Sequence, residues 1–324
     1  MGDLTHRLGE YEIRIAAENP EIAAILAHYL EYLEGPFPGQ SEGCLSFTFA
    51  VGEPRVTEES ADDRSALGYR FSRHREELLV SHQSASGSAL PGEGEARFTI
   101  APHAVDDAEL LRDLLSITLA EMLRSRELYP IHAALAEHDG SAALVIGSTG
   151  AGKSTLALGM AEAGMGLLTD DWSLLDPQQV AIHGRALVRT ASLPVDQIRP
   201  GRSYQELERR DDEVLPKVVV TRESLNPPQS LSAPIRLVVL AMREASEVSE
   251  MLPARQADAL ARALGQSPLL TTDRSGFGRQ AAVLSRMIET CPPVLFRGGR
   301  DVARQPLRGG QMILRALQEA VETS

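Results

Sequence analysis

The sequence predicts an α/β fold in two parts. Residues 129–324 are expected to form a mixed sheet with flanking helices, and residues 1–128 a smaller α+β domain with antiparallel strands. Three observations predict this. Gly147, Ser148, Thr149, Gly150, Ala151, Gly152, Lys153, Ser154 and Thr155 fit the phosphate-loop (Walker A) pattern G-x-x-x-x-G-K-[ST] without a mismatch. An apolar run, 142–146, precedes that loop as a buried strand would. A helical segment, 153–163, follows it with Leu156, Met160 and Ala163 on one face. In the first third of the chain, alternating apolar runs succeed one another across polar links, the pattern of consecutive antiparallel strands.

Taken in order, 11–17 alternates Tyr11, Ile13 and Ile15 and reads as a strand. Asn19 can cap a helix that runs to about Glu34, with Pro20 suited to its first turn. Leu45, Phe47, Phe49 and Val51 mark a second strand. Leu67, Tyr69 and Phe71 mark a third, Leu78 and Val80 a fourth, and Phe98 and Ile100 a fifth. The stretches 53–66 and 82–94 read as polar loops. A long helix is expected over 105–127, with Leu111, Leu114, Leu115, Thr118 and Met122 on its buried face.

Next come strand-like runs 131–138 and 141–146, separated by Asp139-Gly140, a preferred two-residue hairpin turn. A two-residue loop sets His138 opposite Ser141, so His132 falls opposite Gly147, at the mouth of the phosphate loop. Beyond Gly164, the run 166–169 reads as a short strand ending in Asp170 and Asp171. Further strands are expected at 173–175, 180–183, 186–189, 217–221, 235–242 and 293–297, and helices at 254–264, 280–289 and 310–321. The charge-dense stretch 199–214 reads as solvated helix or loop.

Composition narrows the function classes. Aromatics are only 4% of residues, so the core rests on Leu, Ile, Val and Ala. The formal charge of −13 opposes a nucleic-acid backbone as main partner, yet leaves room for a nucleotide in a local positive pocket. Cys44 and Cys291 are too few and too far apart for a disulfide framework or a metal site. With no signal-peptide pattern and no apolar run of spanning length, no membrane is expected, and a cytoplasmic location is the default.

The loop's chemistry is phosphate binding. Glycines let successive backbone N–H groups turn onto phosphate oxygens, and the following helix N-terminus adds partial positive charge. Lys153 supplies a full charge and Ser154 a hydroxyl for Mg²⁺. Asp170 lies 17 residues beyond Lys153, where a neighbouring strand can deliver an acid to the site. Neighbours on a strand point to opposite sides, so Asp170 and Asp171 both reach the site only if the chain turns there.

His132, the loop 147–155 and Leu168-Thr-Asp-Asp171 together resemble the kinase domain of HPr kinase/phosphorylase in order and spacing. That family shares its phosphate-loop type with phosphoenolpyruvate carboxykinase. The resemblance covers about residues 130–176. The overall layout looks more like the HPr-kinase-related proteins, some of which are serine kinases acting on peptides. Two features depart from the family. Thr155 stands where true HPr kinases usually carry Glu. The Glu-x-Arg-Gly signature has only a poor counterpart, Asp196-Gln-Ile-Arg199-Pro-Gly201.

The resemblance implies a P-loop kinase that uses ATP and Mg²⁺ to phosphorylate a hydroxyl, foremost a serine of a protein or peptide. It implies Lys153 on phosphate, Ser154 on Mg²⁺, Asp170 as base near the acceptor and Asp171 near the metal, the order of the two acids being left open. His132 would lie near the transferred phosphate, and Arg199 or Lys217 could add positive charge. The alternatives are a small-molecule kinase with the same site and a nucleotide-binding regulatory ATPase module. A homo-oligomer is compatible with all of these. Residues 307–311 resemble the signature loop of transporter ATPases, but no Walker-B strand follows them, and that reading is set aside.

Overall fold

The computed structural model describes residues 2–35, 43–55, 63–64, 68–195, 205–210, 216–267 and 274–323. It is a mixed α/β structure whose chain separates into two compact units: Met1–Tyr129 with Pro268–Arg279, and Pro130–Ser267 with Gln280–Ser324. None of its described helices is long and apolar enough to cross a membrane.

The first unit holds β1 (Gly2–Leu8), β2 (Tyr11–Ala17), α1 (Pro20–Leu30), β3 (Gly43–Val51), β4 (Asp63–Arg64), β5 (Arg70–His74), β6 (Glu77–His82), β7 (Ala85–Leu90), β8 (Glu95–Ile100) and α2 (Ala108–Arg124). Its strands form one sheet in the order β1-β2-β3-β8-β7-β6-β5-β4. The expected antiparallel sheet is instead mixed, because β2–β3 and β3–β8 pair in parallel. For β2–β3 the reason is α1, a crossover that returns the chain in the same direction; β8 is reached from β3 only through β4–β7, not by a direct hairpin turn.

Three strands of this unit were not expected: β1, β7 and the two-residue β4, which falls in the expected loop 53–66 and pairs with β5. β1 is an edge strand with polar Asp3, Thr5, His6 and Arg7, paired residue for residue with β2. β7 lies inside the expected loop 82–94; its small residues hide it. A Cβ at Gly87 would stand 2.3 Å from the Phe98 ring, so that strand needs glycine where it crosses β8. The helices follow their signals more closely. The Asn19 side chain accepts from Glu21 N at 2.7 Å, and Asp107 caps α2 by accepting from Leu110 N at 3.0 Å. Leu111, Leu114, Leu115, Thr118 and Met122 are buried, with the Thr118 hydroxyl donating to Leu114 O at 2.7 Å. Leu67 and most of 53–66 lie outside the described residues.

The next elements are β9 (Tyr129–His138), β10 (Ser141–Ile146), α3 (Lys153–Glu162), β11 (Gly166–Thr169), β12 (Trp172–Pro177), β13 (Ile182–Ala186), β14 (Thr190–Pro194), β15 (Glu206–Arg210), β16 (Lys217–Thr221) and β17 (Ser232–Arg243). They are followed by β18 (Glu250–Pro253), α4 (Gln256–Gly265), α5 (Arg274–Thr290), β19 (Pro293–Gly298), α6 (Arg300–Arg304) and α7 (Pro306–Glu322). β9 and β10 form the expected hairpin. Asp139 and Gly140 both have positive φ, 48° and 73°, as a type I′ turn requires. Ser141 faces His138 and Ile146 faces Ala133.

β10 also pairs in parallel with β17, and β17 with β19. The pairings β10–β9–β12–β13–β17–β10 form a closed circuit. β11 lies antiparallel to β9, and β14-β16-β15 form a separate three-stranded sheet. So 206–210, read as solvated helix or loop, is a strand, held by pairing with β16. Residues 196–204, with Arg199 and Arg202, and 211–215 lie outside the described residues. The strands expected at 180–183 and 186–189 sit a few residues later. Val180 is 91% exposed in a turn closed by Gln178 N donating to Ala181 O at 3.1 Å.

α3 is buried on more than the one face expected. Lys153, Leu156, Ala157, Leu158, Gly159, Met160 and Ala161 are all buried, because α7 packs along α3 while β10, β11 and β14 contact it as well. The glycines of the rejected 307–311 motif explain how. A Cβ at Gly310 would fall 1.8 Å from Gly159 O, and one at Gly159 would fall 2.1 Å from Pro306 O. Gly310→Ala gains about 1 kcal/mol of helix propensity. It also drives a methyl group into backbone, and overpacking costs about 1–3 kcal/mol or more. The overlap wins, since neither backbone can yield without parting the helices. A lower melting temperature in Gly310→Ala is therefore expected, and an unchanged melt would mean that the helices do not approach so closely.

Candidate phosphate site and its acidic pair

The loop 147–152 joins the C-terminal end of β10 to the first turn of α3. Gly150 and Gly152 have φ of 80° and 99°, the left-handed region that glycine enters without strain. Gly147 is confined for another reason: a Cβ there would lie 2.9 Å from Ala151 Cβ and 3.0 Å from Ala241 O. Ser148, Thr149 and Gly150 are exposed, Ala151 and Gly152 half-buried. Lys153, Ser154 and Thr155 open the helix. Lys153 is 7% exposed, and its Nζ donates to Gly147 O at 2.7 Å. Burial lowers its pKa, opposed by the charges of Asp171 and Asp170 and aided by Lys217.

Thr169 ends β11, and its hydroxyl accepts from Asp171 N at 3.2 Å. The chain turns there between β11 and β12, which meets the condition for both acids to reach one site. Their surroundings differ. Asp170 is 3% exposed; its Oδ2 accepts from Ser192 N of β14 at 3.0 Å, while its Oδ1 is buried with no hydrogen-bond partner. Burial and then the neighbouring Asp171 push its pKa up to about 7, against the pull of the Ser192 amide, the Ser154 hydroxyl and Lys217. The Asp171 side chain is 40% exposed, and its Oδ1 lies 2.9 Å from His132 Nε2. His132 in turn stacks on Trp172, ring centroids 5.4 Å apart at 29°, and its backbone N donates to Gln266 O at 2.8 Å.

The structure therefore brings Lys153, Ser154, Asp170, Asp171 and His132 to one end of the β9–β10–β11 strands. Lys217, at the start of β16, acts electrostatically on both Lys153 and Asp170. Arg199 lies outside the described residues. Among the described residues no group of three or more His, Cys, Asp or Glu forms a metal cage. A cation at this site would take one hydroxyl, one carboxylate and oxygens of its ligand.

Sequence reasoning missed Ser192, which acts through its backbone N–H and so leaves no side-chain signature. It also missed a cavity of about 410 Å³ beside the loop, lined by residues 147–151 and 241–243 with Arg262, Gly265 and Gln266. No family model matches this chain, and no curated protein matches it either. The likeness to HPr kinases rests on the motif residues themselves.

Proposed function

We propose that the second unit is an ATP- and Mg²⁺-dependent P-loop kinase that phosphorylates a hydroxyl, foremost a serine of a protein or peptide. The observation that carries this reading is the convergence of a phosphate loop with two carboxylates in contrasting environments. A regulatory ATPase module shares the loop and a metal-holding acid beside its serine, so the second, solvent-reaching acid carries the distinction. A buried acid beside the loop serine and a separate, solvent-reaching acid held by a histidine are the parts that transfer to a hydroxyl requires.

The geometry favours the reverse of the role order the resemblance implies. Asp170 is the acid beside Ser154, and its buried, unpartnered Oδ1 fits a cation as neighbour. Ser154 and Asp170 would hold Mg²⁺, which supplies charge neutralisation to the phosphate oxygens. Asp171 is open to an incoming hydroxyl and takes its proton. His132 fixes the Asp171 carboxylate from one side, and Trp172 fixes the His132 ring. Lys153 and the loop N–H groups hold the phosphates, with Lys217 adding positive charge.

Trp172 is the only tryptophan, so its fluorescence reports this site alone. Titration with Mg-ATP is expected to change its intensity with saturation. An unchanged signal, with binding proved by calorimetry, would remove the acidic pair from the nucleotide and sink the kinase reading.

A further inference from the structure

The cavity beside the loop deepens that reading, on which the following inference rests. Two arginines face it, Arg243 at the end of β17 and Arg262 on α4. Arg262 Nη1 donates to Ala241 O at 3.4 Å, and neither arginine forms an ion pair among the described residues. Elsewhere the arginines of this acidic chain are commonly matched: Arg297 with Glu244 and Glu250, Arg300 with Glu247, Arg185 with Asp176. Two guanidinium groups at one concavity, without an acidic partner among the described residues, are a recognition feature for a carboxylate or phosphate.

The cavity does not suit a nucleotide base. No aromatic side chain lines it, and its apolar contribution comes only from Ala151, Ala241 and Met242. The nucleotide phosphates already have the loop amides and Lys153. The cavity is instead linked to the proton-accepting pair. Gln266 lines it and accepts from His132 N at 2.8 Å, and His132 holds Asp171. We propose that this cavity receives the acceptor, and that Arg243 and Arg262 bind an acidic side chain next to the phosphorylated serine of a peptide substrate. The net charge of −13 repels such a peptide at a distance, so the arginines confer their preference at contact.

The test uses the whole chain with γ-labelled ATP and Mg²⁺ and two pools of short serine peptides, one flanked by aspartate and glutamate, the other by lysine. The acidic pool is expected to be labelled at least tenfold faster. Arg243→Glu and Arg262→Glu should each erase or invert that preference, while Trp172 fluorescence titrates with Mg-ATP as in the wild type. Arg243 is an exposed strand-end residue, so its variant carries the test if the helix variant fails to fold. Equal labelling of the two pools would overturn the proposal. So would weakened Mg-ATP affinity in the arginine variants, which would assign them to the nucleotide. Absence of labelling in both pools would overturn it as well. The kinase reading itself falls separately, if Trp172 fails to respond to bound Mg-ATP.

Discussion

Asp171→Asn is expected to slow phosphoryl transfer by about 10²–10⁴-fold, the range spanned by loss of a positioned general base. The amide matches the carboxylate in shape and can still meet His132, so local structure is retained. It cannot accept a proton at neutral pH. Asp171 is the more exposed acid of the pair and lies on the His132 side of the site, whereas Asp170 is the one beside Ser154. The Mg-ATP affinity read from Trp172 should therefore stay within about threefold of wild type, well short of the loss of a charge-assisted contact. The Mg²⁺ dependence of the rate should stay unchanged too. The opposite assignment makes a different forecast: if Asp171 held the metal, its amide variant would need more Mg²⁺ and recover at high concentration. Full transfer activity in Asp171→Asn would remove it from the base role.

How much of this site is legible in the sequence follows from how local each signal is. The phosphate loop is a contiguous motif, and its glycine torsions follow from residue type. The His132 position follows from Asp139-Gly140, because a two-residue turn leaves one register and one residue of slip would turn His132 to the other face. The contrast between the surroundings of Asp170 and Asp171 is not local. It depends on the Thr169 hydroxyl that turns the chain and on the Ser192 amide that approaches from another sheet. Arg243, Arg262 and Gln266 come from β17, α4 and the residue just after it, about 100 residues beyond the loop in sequence, and no spacing rule joins them to it. In the fold, β1, β7 and β15 were hidden because polar, small or charged residues fill them. Pairing with neighbours, not intrinsic preference, makes them strands.

Asp170→Asn is expected to stabilise the protein at pH 8 while abolishing transfer. The wild-type carboxyl has its pKa raised from 3.8 to about 7, chiefly by burial and then by Asp171. A folded-state pKa above the unfolded one means that the folded chain holds this proton more tightly. Its contribution to stability is fully present below about pH 4, is lost as pH rises through about 7, and stays lost above that. The displacement corresponds to roughly 4 kcal/mol as an upper bound, at 1.36 kcal/mol per pH unit. Asparagine removes the ionisation but leaves a buried amide N–H₂ where Oδ1 stood, at a pH-independent cost of about 1–3 kcal/mol. The decisive quantity is therefore the pH dependence of the difference between the two proteins. Melts at pH 4.5 and pH 8 should show Asp170→Asn gaining several degrees on wild type between them, at about 2–4 °C per kcal/mol for a domain of this size. Parallel pH profiles would mean that Asp170 is not a strained buried acid. Mg-ATP should act in the opposite sense. A cation beside Oδ1 relieves the charge that burial penalises, so wild type should gain more from Mg-ATP than the variant does. That reversal separates a carboxylate kept charged for a ligand from one that is merely badly placed.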